Sequence, residues 1–424
     1  MLSASVAATA SAPLQTEPPA AAQQGLIKTL TLPDLLFFGI ANILGSGAAN
    51  LAGHAVFASG SAWSAQIAAV TGLLLGSSKT YAVAHEKYQS NDAEADLIAE
   101  EIGSIGRRIS SFMIVLFNIV STVVGLVFIT RIINPTASYA FSVMLAIQLA
   151  IFIIAVGLYG IELNKTLINT VTALCIGVIV VFGGFAVSKW LGGAHIQNVN
   201  VATGNSVNPI RAFLYIFFIM AGFDVLIKFT EEAADTTTIP KAFYGSNIIS
   251  GLLLIGLCFA YIVFVPMRGL KHADNSFADI AKGIFGDNEA SIMKWIIIGF
   301  ILISSLVNTL GVSRYLYSEL KDTSAEGWRE LNASGAPWKI LLGIGAVLIG
   351  FIIINNIDKL VSFADLALVG ILSMVGWSAA RTRLKAGEKP WIESLTTLGL
   401  FGVGGLSIRQ LFQKNDKNDY GVAL

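Results

Sequence analysis

About eleven stretches of this chain, each about 20 residues long and dominated by apolar side chains, follow one another with no soluble domain between them. A helix of that length, rising 1.5 Å per residue, crosses a hydrocarbon core of about 30 Å. Inside lipid the backbone must satisfy its own polar groups, so helices are the form these runs can take. They lie near residues 34–58, 62–83, 110–130, 137–159, 166–188, 210–229, 242–266, 291–317, 337–355, 360–380 and 391–412. Composition closes the soluble alternative: 54% of the 424 residues are hydrophobic and 13% are charged, against about 25% charged in ordinary globular proteins. The expected class is an all-α polytopic membrane protein embedded in the lipid bilayer.

Several chemistries drop out early. With 27 basic and 27 acidic residues the net charge is +0, so there is no basic field to bind nucleic acid. Cys175 and Cys258 each sit inside an apolar run and read as small buried side chains, while His54, His85, His195 and His272 have no metalloprotease spacing. No phosphate loop occurs, and no nucleophile, base and oxyanion donor converge on one motif, so no metal, cofactor or catalytic residue is expected.

Residues 1–30, rich in Ala, Ser, Pro and Gln at their start, read as a disordered tail. The polar stretch HEKYQSNDAEADLIAEEIGSIGRR, between the second and third spans, suits a short surface helix or a solvated connector, and the connector is favoured. The stretch RGLKHADNSFADIAKGIFGDNEA carries Phe277, Ile280, Ala281, Ile284 and Phe285 at helical spacing, as an interfacial helix would. A modest excess of Lys and Arg, with Arg107, Arg108, Arg381, Arg383, Lys385 and Lys389 in loops on one side, predicts a cytoplasmic N-terminus.

Two spans look interrupted. In DLLFFGIANILGSGAANLAGHAVFASG, the run Gly45-Ser46-Gly47 falls about 17 Å along the helix from Asp34, near the midplane. Each glycine costs roughly 1 kcal/mol relative to alanine in a helix interior, although small residues also serve close helix packing. In IRAFLYIFFIMAGFDVLIKFTEE, Ala221-Gly222 and Asp224 lie at comparable depth. An acidic residue at the centre of a span costs about 2.5 to 3.5 kcal/mol, so Asp224 needs a cavity or a partner. A proton, Lys228 and a substrate cation are the three available partners. Lys228 is expected to snorkel to the interface, leaving the proton or the substrate favoured, and Glu231 and Glu232 are expected to be solvated. Spans one and six are five apart and therefore oppositely oriented, the pattern of inverted-repeat secondary transporters with a site between two broken helices. Free N–H groups at one break and free C=O groups at the other suit a zwitterion such as an amino acid.

At these residues the chain resembles a known family. FFGIANILGSG resembles the first-helix pattern of the amino acid-polyamine-organocation permeases, and GFDVLIKFTEEAADTTTIPKAF resembles their sixth-helix signature. GVSRYLYSELKDTSAEG and KLVSFADLALVGILSMVGWSAARTRL resemble the end of helix eight and helix ten. The likeness covers most of residues 30 to 385, and the sixth-helix motif is closest to the cationic amino acid transporter branch. It implies a ten-helix, 5+5 inverted-repeat transporter core (LeuT-like) with broken helices 1 and 6. Its halves would be residues 31–190 and 205–385, followed by an eleventh helix and short polar tail at 390–424.

The resemblance also implies site roles. Ile43, Gly45, Ser46, Gly47, Phe218, Ala221, Gly222 and Asp224 would bind substrate: the Gly45–Gly47 backbone takes the carboxylate, the carbonyls of Phe218 and Ala221 take the ammonium, and the Phe218 ring acts as a lid. Asp224, Asn118, Ser304 and Ser305 are candidates for coupling to H+ or Na+. Three departures stand out. FNIVSTVVG and NTVTALCIG lack the helix-three glutamate and helix-five lysine that some members use for proton coupling, the run after helix two reads NDAEAD, and a twelfth span is missing. The expected activity is secondary transport of an amino acid; alternatives are a polyamine or organocation carrier and an amino acid sensor that does not transport. Oligomeric state is left open.

Overall fold

The computed structural model describes residues 25–134, 136–193, 208–265, 276–321, 323–354 and 357–413. Most of the N-terminal tail, the polar C-terminal tail and the side chain of Ser46 lie outside the described residues. What is described is almost wholly helical; among the described residues the only β-type pairings are isolated bridges, Leu30 with Ala233 and Leu331 with Pro337.

The helices are α1 (Leu32–Ser59), α2 (Trp63–Tyr88), α3 (Ala93–Ile102), α4 (Ser104–Ile133), α5 (Tyr139–Gly157) and α6 (Ile161–Leu191). They continue with α7 (Pro209–Met220), a 3-10 segment (Phe223–Glu232), α8 (Thr238–Phe264), α9 (Ser276–Ile284), α10 (Asp287–Glu319), α11 (Trp338–Ile354), α12 (Ile357–Lys385) and α13 (Trp391–Gln413). Ten helices among the described residues are long and apolar enough to cross a membrane, and Trp338–Ile354 is a shorter apolar one. The eleven expected spans are therefore present, with α7 and the 3-10 segment together forming helix six.

Four of the five pairs of spans that lie five apart in the ten-span core pack together. Helices five apart touch each other: α1 with α7, α2 with α8, α4 with α10, and α5 with α11. α1 and helix six are largely buried, because α1 is wrapped by α6, α7, α8 and α10. By contrast α5, α6 and α13 expose most of their apolar surface, including Ile151, Phe152, Leu174, Val180, Leu395 and Phe401. In a bilayer such side chains face acyl chains and need no protein partner. The interior of the bundle is thus built from α1, α2, α4, helix six, α8, α10 and α12, with α5, α6 and α13 at the periphery.

Both short surface helices form. α9 buries Phe277, Ile280 and Ala281 against α10, α8 and α1, as its spacing predicted, while Phe285 is exposed. α3 departs from the favoured solvated connector. It packs between α2, α4 and α12 with Leu97 and Ile98 fully buried. Its apolar residues recur at helical spacing, and the bundle end offers them a surface to cover.

Candidate functional site

α1 starts where Thr31 donates its backbone N–H and its hydroxyl to Asp34 Oδ2, at 2.8 and 2.7 Å, a carboxylate suited to the positive end of a helix. Midway, Gly45 leaves the helical region (φ −37°, ψ −109°) and kinks the helix. Helix six breaks more completely: α7 ends at Met220, Ala221 is extended (φ −71°, ψ 143°), and Gly222 has φ +135°. Only glycine adopts that last conformation without strain.

The two breaks lie against each other. Asn42 Nδ2 donates to the Gly222 carbonyl at 2.8 Å, and a Cβ on Gly222 would meet the Asn42 carbonyl oxygen at 3.2 Å. A Cβ on Gly47 would stand 2.9 Å from Ile219 Cα, and one on Gly45 would collide with the Ser304 side chain on α10. These glycines therefore serve close packing as well as interruption. Ile43, Gly45, Gly47, Ala221 and Gly222 are all buried here, and Phe218 is half-buried on α7. The last carbonyls of α7 have no partner further along the helix, as at any C-terminus; the Phe217 carbonyl accepts from the Ala221 N–H at 2.9 Å.

The coupling candidates fall apart spatially in part. Ser304 is beside Gly45, whereas Ser305 is buried with its carbonyl accepting from Thr309 Oγ1 at 2.8 Å. Asn118, on α4, donates to the Ile114 carbonyl at 2.7 Å, and its buried Oδ1 has no partner among the described residues.

Beyond the break, toward the end that carries α3, helix six enters a buried charge network. Lys228 does not snorkel. It is fully buried, and its Nζ donates to Asp224 Oδ2 at 2.7 Å and lies 3.7 Å from Glu94 Oε1 on α3. The reason is coverage: α10, α1, α8 and α2 pack around this end of helix six and Glu94 reaches it from α3, with Gly311 leaving room for the Lys228 stem, so water is not within the side chain's reach. Glu232 is likewise not solvated. Its carboxylate, fully buried, accepts from Arg314 Nε at 3.1 and 3.3 Å and from Nη2 at 3.1 Å. The backbone carbonyl of Glu232 accepts from the N–H groups of Thr29 and Leu30, both at 2.9 Å, which ties the lead-in of α1 to the end of helix six.

The same end carries further pairs. Arg107 binds Asp92 and Glu319 at 2.9 Å each and also Asp96; Ser318 donates to Asp92 at 2.7 Å and to Glu231 at 3.1 Å. Glu101, buried, is held by Lys385 at 2.7 Å and Arg381 at 3.6 Å. The basic residues expected to share one side, Arg107, Arg381, Arg383 and Lys385, do meet acidic partners on this one face. Burial, reinforced by Asp92 and opposed by Arg107, holds the Asp96 carboxyl above its usual range.

Four participants escaped the sequence reading: Asn42, Glu94, Arg314 and the Arg314 partner role of Glu232. Arg314 carried a signal, a charge inside an apolar span. So did Glu94, which shares the i, i+3, i+4, i+7 face of α3 with Leu97, Ile98 and Glu101. A carboxylate on an apolar face demands a buried partner. Asn42 carried only the weak signal of an amide within an apolar run.

No curated protein matches the chain. A family model described as "Amino acid permease" matches residues 39–403, from the middle of the first half of α1 into α13.

Proposed function

Because the chain belongs to the amino acid permease family, we propose that it moves amino acids across its membrane by alternating access, holding the substrate between the interrupted parts of α1 and helix six. One observation carries the reading: the break at Gly45–Gly47 abuts the break at Ala221–Gly222, joined by the Asn42 amide on the Gly222 carbonyl. A pair of opposed breaks offers N–H groups from the start of one half-helix and carbonyls from the end of another, each with about half a unit of charge. That polarity matches a zwitterion. The backbone of Gly45, Ser46 and Gly47 takes the carboxylate, the carbonyls of Phe218 and Ala221 take the ammonium, Ile43 lines the apolar side, and the Phe218 ring closes over it.

Asp224 is already neutralised by Lys228, so the substrate's side chain meets no free carboxylate, and neutral amino acids are favoured over cationic ones and over polyamines. The face that carries α3 is the cytoplasmic one, on the strength of its Arg and Lys content. The test is counterflow of labelled amino acids in proteoliposomes, with competition by each of the twenty and by putrescine. Exchange inhibited best by neutral amino acids is the expected result. Saturable binding without exchange would make the protein a sensor, and preferential competition by putrescine would make it an organocation carrier.

A further inference from the structure

Glu94, on α3, is an acid housed without any hydrogen-bonding group among the described residues to hold it ionised. Both its carboxylate oxygens are buried without a hydrogen-bond partner among the described residues. Its nearest cation is Lys228 at 3.7 Å, and that ammonium is already in hydrogen-bond contact with Asp224 at 2.7 Å. All three side chains are at most 5% exposed, so two carboxylates share one ammonium out of reach of water. Fully ionised, the group carries one uncompensated negative charge, and a low-dielectric interior does not hold such a charge when a proton is available.

We propose that Glu94 is the proton-binding site of this carrier: one proton makes the Asp224–Lys228–Glu94 group neutral while α3 is closed on helix six, and that proton leaves to water on the α3 face when the two part. The inference rests on the transport reading above.

The surroundings fit. On helix six, Asp224 lies two residues past the Gly222 break, and its second oxygen, Oδ1, is buried without a hydrogen-bond partner among the described residues. From α2 the Tyr81 hydroxyl is also buried without a hydrogen-bond partner among the described residues, and its ring meets Phe223 edge-on at 5.4 Å. The proton adds to a carboxylate oxygen of Glu94 without any other bond changing, and α3 separation returns it to water.

At the α3 end, the charges on the neighbouring helices named next have partners of their own. On α2, Glu86 meets Arg383, Lys87 and Tyr88 meet Glu100, and His85 contacts the Thr236 carbonyl and Thr230. On α4, Arg107 holds Asp92, Asp96 and Glu319; on α12, Arg381 and Lys385 hold Glu101. From α10, Arg314 holds Glu232, and Tyr315 donates to Ser111 at 2.7 Å. Burial above all pushes the Glu94 carboxyl up to about 8, with Asp224 and Asp92 adding to the rise and Lys228 opposing it.

Two measurements on Glu94→Gln, the neutral isostere, test the site. In proteoliposomes the wild type should accumulate labelled amino acid when an inward-directed pH gradient is imposed. Glu94→Gln should lose at least tenfold of that accumulation while counterflow stays within about twofold of wild type. Wild-type counterflow without gradient-driven accumulation, or gradient-driven accumulation that survives in Glu94→Gln, overturns the proton site and leaves the transport reading intact; no wild-type counterflow at all sinks the transport reading.

The second measurement needs no transport. A carboxyl raised from 4.5 to about 8 by folding adds stability that is fully present at low pH and is lost as pH rises through that window, because the folded state keeps the proton longer. The wild-type melting temperature should fall between pH 5 and pH 8, and this fall should be reduced in Glu94→Gln. In Lys228→Met the fall should extend above pH 8, since the opposing ammonium is gone. An unchanged pH profile in Glu94→Gln, or failure of that neutral variant to fold, overturns the proposal, because the closed state would then require an ionised Glu94.

Discussion

The Glu232–Arg314 pair gives the sharpest energetic test of the closed end. The perturbation is Glu232→Gln, which preserves shape and removes the charge. In the structure both side chains are at most 1% exposed, and the guanidinium makes three contacts of 3.1 to 3.3 Å to the carboxylate and one of 2.9 Å to Ser313 Oγ. Substitution strands a buried guanidinium with a neutral acceptor. Breaking one side of such a pair costs about 3 to 5 kcal/mol, whereas replacing both sides with apolar groups of similar volume is neutral or stabilising by about 1 to 4 kcal/mol.

The Thr29 and Leu30 bonds to the Glu232 backbone carbonyl survive the change, so the loss reports the side chain alone. Equilibrium unfolding of the purified protein in a sodium dodecyl sulfate titration, followed by tryptophan fluorescence, should show the 3 to 5 kcal/mol loss in Glu232→Gln and its recovery in Glu232→Leu/Arg314→Met. A single-variant loss under about 1 kcal/mol would mean that water reaches the pair and that the end is not sealed. A double variant as unstable as the single one would refute the reasoning as well.

Gly47→Val drives a branched side chain against Ile219, whose Cα is 2.9 Å from the new Cβ; overpacking of about 1 to 3 kcal/mol should leave the protein expressed but abolish amino acid binding, and unchanged transport would remove the α1 break from the site. Phe218→Ala, at a half-buried ring beside the break, should weaken apparent affinity several-fold at unaltered expression, whereas wild-type affinity for every substrate would make the ring core packing. Asp224→Asn should cost about 1.5 to 3 kcal/mol in the same unfolding assay, because Lys228 keeps Glu94, and should leave the order of competing amino acids unchanged. A shift of preference from cationic to neutral amino acids in that variant would put the substrate, not Lys228, at this carboxylate.

Much of the membrane architecture was legible in the sequence for local reasons. An apolar run of about 20 residues in lipid has one hydrogen-bonded form available, so the number of spans follows from hydropathy. The interruptions at Gly45 and Gly222 follow from glycine itself, since the +135° φ at Gly222 excludes a side chain wherever the rest of the chain lies. The cost of Asp224 at mid-depth likewise required some partner before any partner could be named.

Which partner was decided by tertiary structure. Lys228 pairs with Asp224 instead of reaching water because α10, α1, α8 and α2 pack around this end of helix six. Glu232 finds Arg314 across a separation of 82 residues, and Glu94 joins Lys228 from a helix that hydropathy reads as a connector. The hydropathy of a segment reports how it meets lipid or water on average. The company a single charge keeps depends on where distant helix ends converge, and at the α3 end of this bundle that convergence turns residues expected in solvent into a buried, mutually dependent network.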